Sequence, residues 1–347
     1  MLMGMALPIS HAPDLPAPCG LCPRNCGADR VRGGRGFCGE TAELRIAAAS
    51  IHRGEEPPIT GRGGSGTVFI TGCTLGCGFC QNWQVSRNGM GRVVSEGEFV
   101  RICLILQERG VENINLVTGS HAVPALVRGI GAARRRGLTI PVLWNSSAYE
   151  GPEALSLLRD TVDVYLPDLK TLDSEIARRF FGAPDYPEAA ASAIRRMIAM
   201  RGELRYGPGE VLVSGCIIRH LVLPGFLEST REVLRWFADH AQGRALLSLM
   251  TQYTPVHPDG APRDAPPENY LNHEEYDRVL EWLEEFDIED GFCQELVTDN
   301  GWLPDFNRQN PFSARADPSP ESAAPADTAL STPVWHWREG FVEPGKL

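Results

Sequence analysis

Three features that would each indicate a familiar class of protein are missing from this sequence. No stretch approaches the run of about 18 apolar residues that a membrane-spanning helix needs, so we expect no membrane association. Positive charge is not in excess, because 33 basic and 44 acidic side chains give a net charge of −11. This argues against nucleic acid as a partner, since its binding depends on neutralising phosphates. Residues 1–18 contain prolines but no basic stretch, so we interpret them as a flexible N-terminus rather than a signal peptide.

Cysteine, by contrast, is plentiful, and the chain contains ten. Without an export signal we expect the protein to be cytoplasmic, where thiols stay reduced, so these cysteines indicate metal binding rather than disulfide bonds. Seven of them form two groups near the N-terminus, the first being Cys19, Cys22, Cys26 and Cys38 and the second Cys73, Cys77 and Cys80. The two groups predict two separate metal sites.

The first group has the spacing C-x2-C-x3-C-x11-C within residues 19–62, which we predict to be a metal-binding segment. Around the cysteines the segment is rich in Gly, Arg and Pro and has no apolar periodicity, so it cannot be stabilised by burial alone. Four thiolates suit either a structural Zn²⁺ or a second iron–sulfur cluster. The spacing does not choose between them.

From residue 66 onward, strands alternate with helices. Short apolar runs predict six strands, at 67–72, 113–118, 140–145, 162–169, 216–224 and 245–253. Amphipathic stretches predict helices at 97–110, 122–137, 228–241 and 274–286. This alternation is typical of a parallel sheet covered by helices. It predicts an α/β fold, an open, partial (β/α)6 TIM-like barrel over residues 63–311, with functional groups at the carboxyl ends of its strands.

The last part of the chain, residues 312–347, is rich in Ala, Pro and Ser and shows no core pattern. We predict that it is a disordered tail. The closing motif WHWREGF, at 335–341, could pack back on the body of the protein, and the sequence leaves this open.

The loop GCTLGCGFCQNW, residues 72–83, directly follows the first predicted strand and spaces its cysteines as C-x3-C-x2-C. Glycines let the loop wrap so that three thiolates reach one centre. Most [4Fe–4S] clusters have four cysteine ligands, so three local cysteines leave one iron for an outside ligand. S-adenosylmethionine (SAM) can fill that place, and one electron would then break a C–S bond to give a 5′-deoxyadenosyl radical. The alternative is a zinc site with a distant fourth ligand.

The loop resembles that of the radical SAM superfamily, C-x3-C-x-aromatic-C, which implies that Phe79 lies near the adenine of SAM. Other segments are similar to the PflX-like branch, relatives of pyruvate formate-lyase activating enzymes, and these are CGLCPRNCGADR, IHRGEEPPITGRGGSGTVFITGC, CQNWQVS, VYLPDLKT, IIRHLVLPG and SLMTQYTP. The resemblance implies a radical SAM core over 63–311 that uses a [4Fe–4S] cluster and SAM.

The resemblance also implies SAM contacts at strand ends. In activating enzymes the second strand ends in Gly-Gly-Glu, which holds the SAM amino group. The matching residues here, 118–121, lack the acid, so Thr118 and Ser120 are expected to contact SAM through hydroxyl or backbone groups. At the end of the third strand, Asn145 and Ser147 match positions near the SAM carboxylate and ribose.

In the fourth predicted strand, residues 168–170 reproduce the Asp-Leu-Lys of the family. The resemblance implies that Lys170 pairs with the SAM carboxylate as a point charge, and that Asp168 orients it or faces the substrate. The alternative is an ordinary surface turn. In the fifth strand Arg219 and His220 are adjacent, and side chains alternate across a strand, so only one should face the barrel. We take His220 as a candidate SAM-binding residue, with a satisfied core or surface role as the alternative.

Other polar and thiol residues have simpler expectations. The thiols expected to be buried rather than to bind metal are Cys103, Cys216 and Cys293, and the alternative for Cys216 and Cys293 is a thiol that donates hydrogen. Glu55 and Glu56, with His52, match the family segment IHRGEEPP, and we expect a structural turn there.

Together these features predict a radical SAM enzyme that abstracts hydrogen from a protein or peptide. The resemblance implies one version of it, an activase that places a radical on a glycine of a glycyl-radical enzyme. Another possibility among enzymes is radical modification of a small molecule or a ribosomal peptide. Outside enzymes, a metal-stapled regulatory or nucleic-acid-binding protein would explain the first cysteine group but not the second. A radical SAM enzyme would also need a cytosolic reductant such as flavodoxin or ferredoxin.

Overall fold

A computed structural model describes residues 18–256, 266–301, 303–313 and 330–343. Its strands are β1 Arg45–His52, β2 Ser65–Ile70, β3 Arg92–Val93, β4 Asn113–Val117, β5 Val142–Ser146, β6 Val164–Pro167, β7 Arg205–Tyr206, β8 Leu212–Leu221, β9 Leu246–Met250, β10 Gly291–Cys293, β11 Ser331–His336 and β12 Gly340–Phe341. Its helices are α1 Pro57–Thr60, α2 Trp83–Ser86, α3 Glu96–Glu108, α4 Val123–Arg135, α5 Pro152–Leu158, α6 Ser174–Phe181, α7 Tyr186–Arg201, α8 Leu227–His240 and α9 His273–Glu285.

The central strands confirm the predicted partial barrel. The six predicted strands correspond to β2, β4, β5, β6, β8 and β9, which pair in parallel in that order. A short seventh parallel strand, β10, pairs with β9 and lies at one end of the strand order. Because the parallel part begins at β2 and ends at β10, the barrel remains open.

On the other side of β2 the sheet continues with antiparallel strands, since β1 pairs with β2 and with β11, which pairs with β12. The prediction of a disordered tail is therefore wrong for residues 330–343. Trp335 of β11 is fully buried and its indole N–H donates a hydrogen bond of 2.9 Å to Glu98. Two other parts of these predictions lie outside the described residues. They are the predicted flexible N-terminus up to residue 17, and residues 314–329 and 344–347 of the predicted tail.

The four predicted helices correspond to α3, α4, α8 and α9, and all begin and end close to the predicted limits. The hydroxyl of Ser95 caps the first turn of α3 by accepting a hydrogen bond from the backbone N–H of Glu98, which satisfies one of the free N–H groups of a helix N-terminus. Helix α4 packs closely on α3 because Gly129 faces Phe99, and a Cβ at Gly129 would lie 2.4 Å from the Phe99 ring. None of the helices in the described ranges has the length and apolar character needed to span a membrane.

Residues 19–44 lie against the carboxyl ends of the parallel strands. The carbonyl of Leu21 accepts a hydrogen bond of 2.8 Å from the backbone N–H of Gly151, in the loop after β5. Arg30 is buried and donates a hydrogen bond of 2.6 Å to the carbonyl of His121, in the loop after β4. The cysteine-rich segment is thus fixed to the edge of the sheet where functional groups of parallel α/β proteins collect.

Candidate active site

A cavity of about 700 Å³ opens at the carboxyl ends of β2, β4, β5, β6, β8 and β9. Most of the predicted site residues line it, namely Cys73, Cys77, Cys80, Phe79, Thr118, Asn145, Ser147, Asp168 and Lys170. These residues come from four separate strand ends. The parallel register of the sheet is what brings them to one place.

The cysteine loop after β2 depends on two glycines with left-handed backbone conformation, Gly72 at φ 90° and Gly76 at φ 69°. A Cβ at Gly72 would lie 2.5 Å from Cγ of Glu40, so only glycine fits there. The turn directs the backbone N–H groups of Leu75 and Gly76 at Sγ of Cys73, at 3.4 and 3.5 Å. Hydrogen bonds to sulfur are one means by which proteins tune iron–sulfur clusters.

The thiols of the loop form a donor set that fits an iron–sulfur cluster. Burial raises the pKa of the Cys77 thiol and of the Cys80 thiol above the ordinary value of a cysteine. Each thiol therefore keeps its proton at neutral pH unless a bound metal cation displaces that proton. Each cysteine of a cubane binds its own iron. Within the described residues, no three His, Cys, Asp or Glu side chains are arranged so that they could hold a single metal ion.

Phe79 lies within the loop and lines the cavity, yet only 5% of its surface is exposed. Its ring makes edge contacts with the rings of Phe180, Phe181 and Tyr253, with centroids 5.9 Å apart in each case. This aromatic cluster fixes the orientation of the loop relative to the cavity.

Asp168 and Lys170 form an ion pair in the cavity wall, in which Nζ of Lys170 lies 2.7 Å from Oδ2 of Asp168. Only 17% of the Lys170 side chain and 20% of the Asp168 side chain are exposed. Burial alone would lower the pKa of Lys170, but the neighbouring Asp168 carboxylate raises it overall, so Lys170 stays charged. The hydroxyl of Tyr186 accepts a hydrogen bond of 3.0 Å from the backbone N–H of Lys170 and donates one of 2.8 Å to the carbonyl of Asp168. The pair is therefore held in place and is not an exposed surface turn.

At the end of β4, Thr118 adopts a left-handed conformation with φ 63°. This conformation is strained for a β-branched residue, and such strain is concentrated at functional sites. The backbone N–H of Thr118 donates a hydrogen bond of 2.9 Å to the carbonyl of Asn145, which joins the ends of β4 and β5. Ser147 follows on the same wall of the cavity.

The side chains of Ser120 and His220 do not line the cavity, which corrects the placement expected for the His220 ring and leaves only the backbone of Ser120 for its predicted contact. The hydroxyl of Ser120 donates a hydrogen bond of 2.7 Å to the buried carboxyl group of Glu150. The ring of His220 lies 2.7 Å from the carbonyl of Leu169 and 3.0 Å from the hydroxyl of Thr230 on α8. Strand β8 therefore directs His220 toward its covering helix, and burial lowers the pKa of His220 to about 4.

The neighbour of His220 faces the cavity instead. Arg219 donates hydrogen bonds of 2.8 and 2.5 Å to the two oxygens of Glu56 and one of 2.6 Å to Glu55. Glu55 also accepts a hydrogen bond of 3.0 Å from the amide of Asn115 on β4. Glu55 and Glu56 are thus cavity residues, beyond the structural turn expected for them. Sequence reasoning missed this network because its acids and base are more than 160 residues apart.

The four N-terminal cysteines lie within one short segment. The sulfur atoms of Cys26 and Cys38 lie 2.8 Å and 3.8 Å from the position that a Cβ would take at Gly36, so both are beside this glycine. Burial raises the pKa of Cys22 to about 12, and the neighbouring Cys19, Cys38 and Cys26 contribute in the same direction. The segment thus holds the sulfur atoms of Cys26 and Cys38 beside Gly36, with Cys19, Cys26 and Cys38 close enough to Cys22 to affect its pKa.

The remaining three thiols divide differently from expectation. Cys103 and Cys216 are fully buried, as predicted. The expectation of a buried thiol is wrong for Cys293, which is exposed on the edge strand β10 and lines the cavity. The short sequence of β10 gave no apolar run from which to place it.

Known proteins resemble this chain in sequence and in fold. The model of the radical SAM superfamily matches residues 67–237. The chain is 29% identical over 279 residues to "Uncharacterized protein MJ0674" of Methanocaldococcus jannaschii. The aligned region covers 78% of this chain and 75% of that protein.

Among solved structures, the chain is similar to Streptococcus suis SuiB bound to S-adenosylmethionine, with a TM-score of 0.47 and 14% identity over 64% of this chain and 48% of SuiB. It therefore spans about half the length of SuiB. A domain of pyruvate-formate lyase-activating enzyme from Bacteroides vulgatus gives a TM-score of 0.36 and 15% identity over 50% of this chain and 91% of that domain.

Proposed function

Because the chain belongs to the radical SAM superfamily and is an enzyme of that class, we propose that it abstracts hydrogen from a polypeptide substrate. Membership implies a [4Fe–4S] cluster and SAM as cofactors. When bound, they supply a one-electron cleavage of a C–S bond of SAM that yields a 5′-deoxyadenosyl radical.

The observation that carries the proposal is the meeting of three thiols and one ion pair on a single cavity. We assign Cys73, Cys77 and Cys80 as the ligands of the catalytic cluster. The charged Lys170 is available to the SAM carboxylate, while Asp168 and the hydroxyl of Tyr186 hold it in position. A fixed cation needs little reorganisation when an anionic group arrives, which favours binding.

Polar groups on the adjacent strand ends suit the rest of SAM. The side chains of Thr118, Asn145 and Ser147 offer hydroxyl and amide groups to its amino group and ribose, and Phe79 offers an apolar surface beside the adenine. In place of an acidic residue at the end of β4, the hydroxyl or backbone of the cavity-lining Thr118 would make this contact. These assignments follow the family resemblance and the shared cavity.

We also propose that Cys19, Cys22, Cys26 and Cys38 bind a metal of their own, either a second iron–sulfur cluster or Zn²⁺. The spacing of the four cysteines supports this, as do the sulfur atoms of Cys26 and Cys38, which both lie beside Gly36. The segment has little apolar surface to bury, so metal binding would supply much of its folding free energy.

The substrate and the partners follow from the resemblance to activating enzymes, which favours a polypeptide and includes activation of a glycyl-radical enzyme. The alternative is radical modification of a small molecule. The electron would come from a cytosolic carrier such as flavodoxin or ferredoxin. A cytoplasmic location belongs to the same proposal, since that compartment keeps thiols reduced.

The test is anaerobic reconstitution with iron and sulfide, followed by reaction with SAM and dithionite. We expect 5′-deoxyadenosine to form, together with an absorbance that bleaches on reduction. A Cys103→Ala variant is the matched control, since Cys103 is a thiol buried away from the cavity. Folded, cluster-loaded protein that forms no 5′-deoxyadenosine would contradict the proposal.

A further inference from the structure

The charge of residues 19–38, here called the basic knuckle, is opposite to that of the protein. The knuckle contains four arginines, Arg24, Arg30, Arg32 and Arg35, and a single acidic residue, Asp29. The whole chain has a net charge of −11. Arg32 and Arg35 are exposed, and Arg32 is only loosely paired with Asp29, at 3.6 Å. The knuckle therefore presents the two exposed guanidinium groups of Arg32 and Arg35 on a molecule that is acidic overall.

Apolar side chains are exposed beside this charge. Within the part of the chain that the structure describes, the large hydrophobic residues that stand out as exposed are Val31, Phe37, Val93 and Tyr206. Two of them, Val31 and Phe37, belong to the knuckle. The guanidinium of Arg24 stacks over the ring of Phe37, 3.8 Å from its centroid, so this half-exposed aromatic ring is held rigidly. A fixed aromatic side chain among arginines is the composition that protein-binding surfaces favour.

The knuckle also lies directly on the catalytic loop. The carbonyl of Cys38 is 2.8 Å from the position that a Cβ would take at Gly72, immediately before Cys73. The ring of Phe37 is 3.4 Å from the corresponding position at Gly76. The exposed ring of Phe37 therefore lies against Gly76, the residue that precedes Cys77. A protein bound to the knuckle would lie close to the three thiols.

We propose that the basic knuckle is the docking surface for an acidic protein that donates one electron to the active site. This inference rests on the proposed function, because each cleavage of SAM consumes one electron from outside. The donor is oxidised by one electron, the site is reduced by one, and no atom passes between the proteins. An acidic donor is repelled by a chain of net charge −11 except where the local potential is positive. The knuckle combines that potential with contact to the loop.

Binding is tested first, by titrating an oxidised flavodoxin into the full-length protein without SAM at low ionic strength. The double variant Arg32→Glu/Arg35→Glu should bind the flavodoxin about tenfold more weakly, and the affinity of the unaltered protein should fall with added salt. The matched control is Arg195→Glu/Arg196→Glu, an equal charge reversal at exposed positions on α7, which should bind as the unaltered protein does. Equal affinity for both variants, or no binding by the unaltered protein, would overturn the proposal.

Reduction is measured next, with cluster-loaded protein and either reduced flavodoxin or dithionite. The knuckle variant should form 5′-deoxyadenosine more slowly with flavodoxin but at the usual rate with dithionite, which needs no docking surface. If both donors are slowed alike, the arginines support the site itself and the docking proposal fails. If dithionite gives no product even with the unaltered protein, the proposed function fails. The flavodoxin titration still decides whether the knuckle is a docking surface. Binding of poly-glutamate as tightly as flavodoxin would reveal a general anion patch and contradict an electron donor.

Discussion

Arg24, which lies between two cysteines of the N-terminal segment, donates a hydrogen bond of 2.9 Å to the carbonyl of Leu75, which lies between two cysteines of the catalytic loop. The same guanidinium donates to the carbonyl of Thr74 at 3.1 Å and to that of Phe181 at 2.7 Å. One side chain therefore ties both cysteine groups and the end of α6 together. The geometry of the catalytic loop depends on a segment that precedes the barrel.

We expect Arg24→Lys to loosen the loop, because an ammonium group cannot reach carbonyls that the planar guanidinium spans. The free energy of unfolding should fall by about 2–3 kcal/mol, since hydrogen bonds from a charged donor contribute more than neutral ones. Urea unfolding and the iron content after reconstitution measure the two effects. Arg32→Lys is the control, because the exposed Arg32 should change neither. Full stability and iron content in Arg24→Lys would refute the bracing role.

Replacing any one of Cys73, Cys77 and Cys80 by Ala should abolish SAM cleavage. Each sulfur is expected to hold a different iron, so no remaining thiol of the loop can substitute. The reducible absorbance of the reconstituted protein and the yield of 5′-deoxyadenosine are the measurements. Normal turnover in one of the three variants would show that this residue is not a ligand.

Lys170→Ala should weaken SAM binding about tenfold or more, since a charged hydrogen bond is worth about 1.5–3 kcal/mol. Cluster content should be retained, because Lys170 is not a ligand. Removing the ammonium group leaves Asp168 without its ion-pair partner, so the double variant Asp168→Asn/Lys170→Met serves as a control for stability. Equilibrium SAM binding and thermal unfolding separate the roles. Intact SAM affinity with a large loss of stability in the single variant would make the pair structural.

Lys170 illustrates what the sequence can predict. It is one of only two lysines in the chain, the other being Lys346, and it follows an apolar strand, where a charged residue reaches the edge of the sheet. The six core strands were predictable for a similar reason, because strands covered by helices on the outside and packed inside the barrel are apolar throughout. Local pattern therefore predicted the barrel and most of its cavity wall.

Other features have no local signal. β11 was hidden because an Ala-, Pro- and Ser-rich stretch precedes it, and its partner β1 lies about 280 residues earlier. The choice between Arg219 and His220 required the orientation of β8, which is set by pairing with β9 rather than by sequence. The contact of Arg219 with Glu56 is equally long-range. Such features become visible only when the register of the sheet is known.

The network around Arg219 predicts a dependence of stability on pH. Burial alone would raise the pKa of Glu56, but the guanidinium of Arg219 lowers it overall. A carboxyl group whose pKa is lowered on folding stabilises the protein above its unfolded pKa, and this contribution is lost as the pH falls through the folded value. We expect the unaltered protein to lose stability below about pH 4, the ordinary range of a glutamate. In Glu56→Gln this acid-dependent loss should be smaller in urea unfolding at successive pH values, and an unchanged pH profile would contradict the assignment.

Arg219→Met should cost about 3–5 kcal/mol at neutral pH, since removing one partner leaves buried charge without compensation. Two carboxylates, Glu55 and Glu56, would then lie side by side without their shared cation. Combining Arg219→Met with Glu55→Gln and Glu56→Gln should restore part of the loss. If the triple variant is no more stable than the single one, the cost comes from packing and not from charge.

The metal of the N-terminal cysteines can be identified in a variant that lacks the catalytic ligands, Cys73→Ala/Cys77→Ala/Cys80→Ala. Burial raises the pKa of the Cys22 thiol to about 12, so this thiol would remain protonated in the absence of metal. Without metal the segment would also lose its main source of folding free energy, typically about 10–16 kcal/mol for structural zinc. We expect the purified variant to retain metal. About four irons and four sulfides per chain would identify a second cluster, and one zinc a structural site. Removing the metal with a chelator should loosen the segment, seen as rapid amide hydrogen exchange at residues 19–38, where the backbone N–H of Cys19 donates to the carbonyl of Ala28. Protein without metal whose residues 19–38 remain protected from exchange would show that these four cysteines do not need a metal to fold.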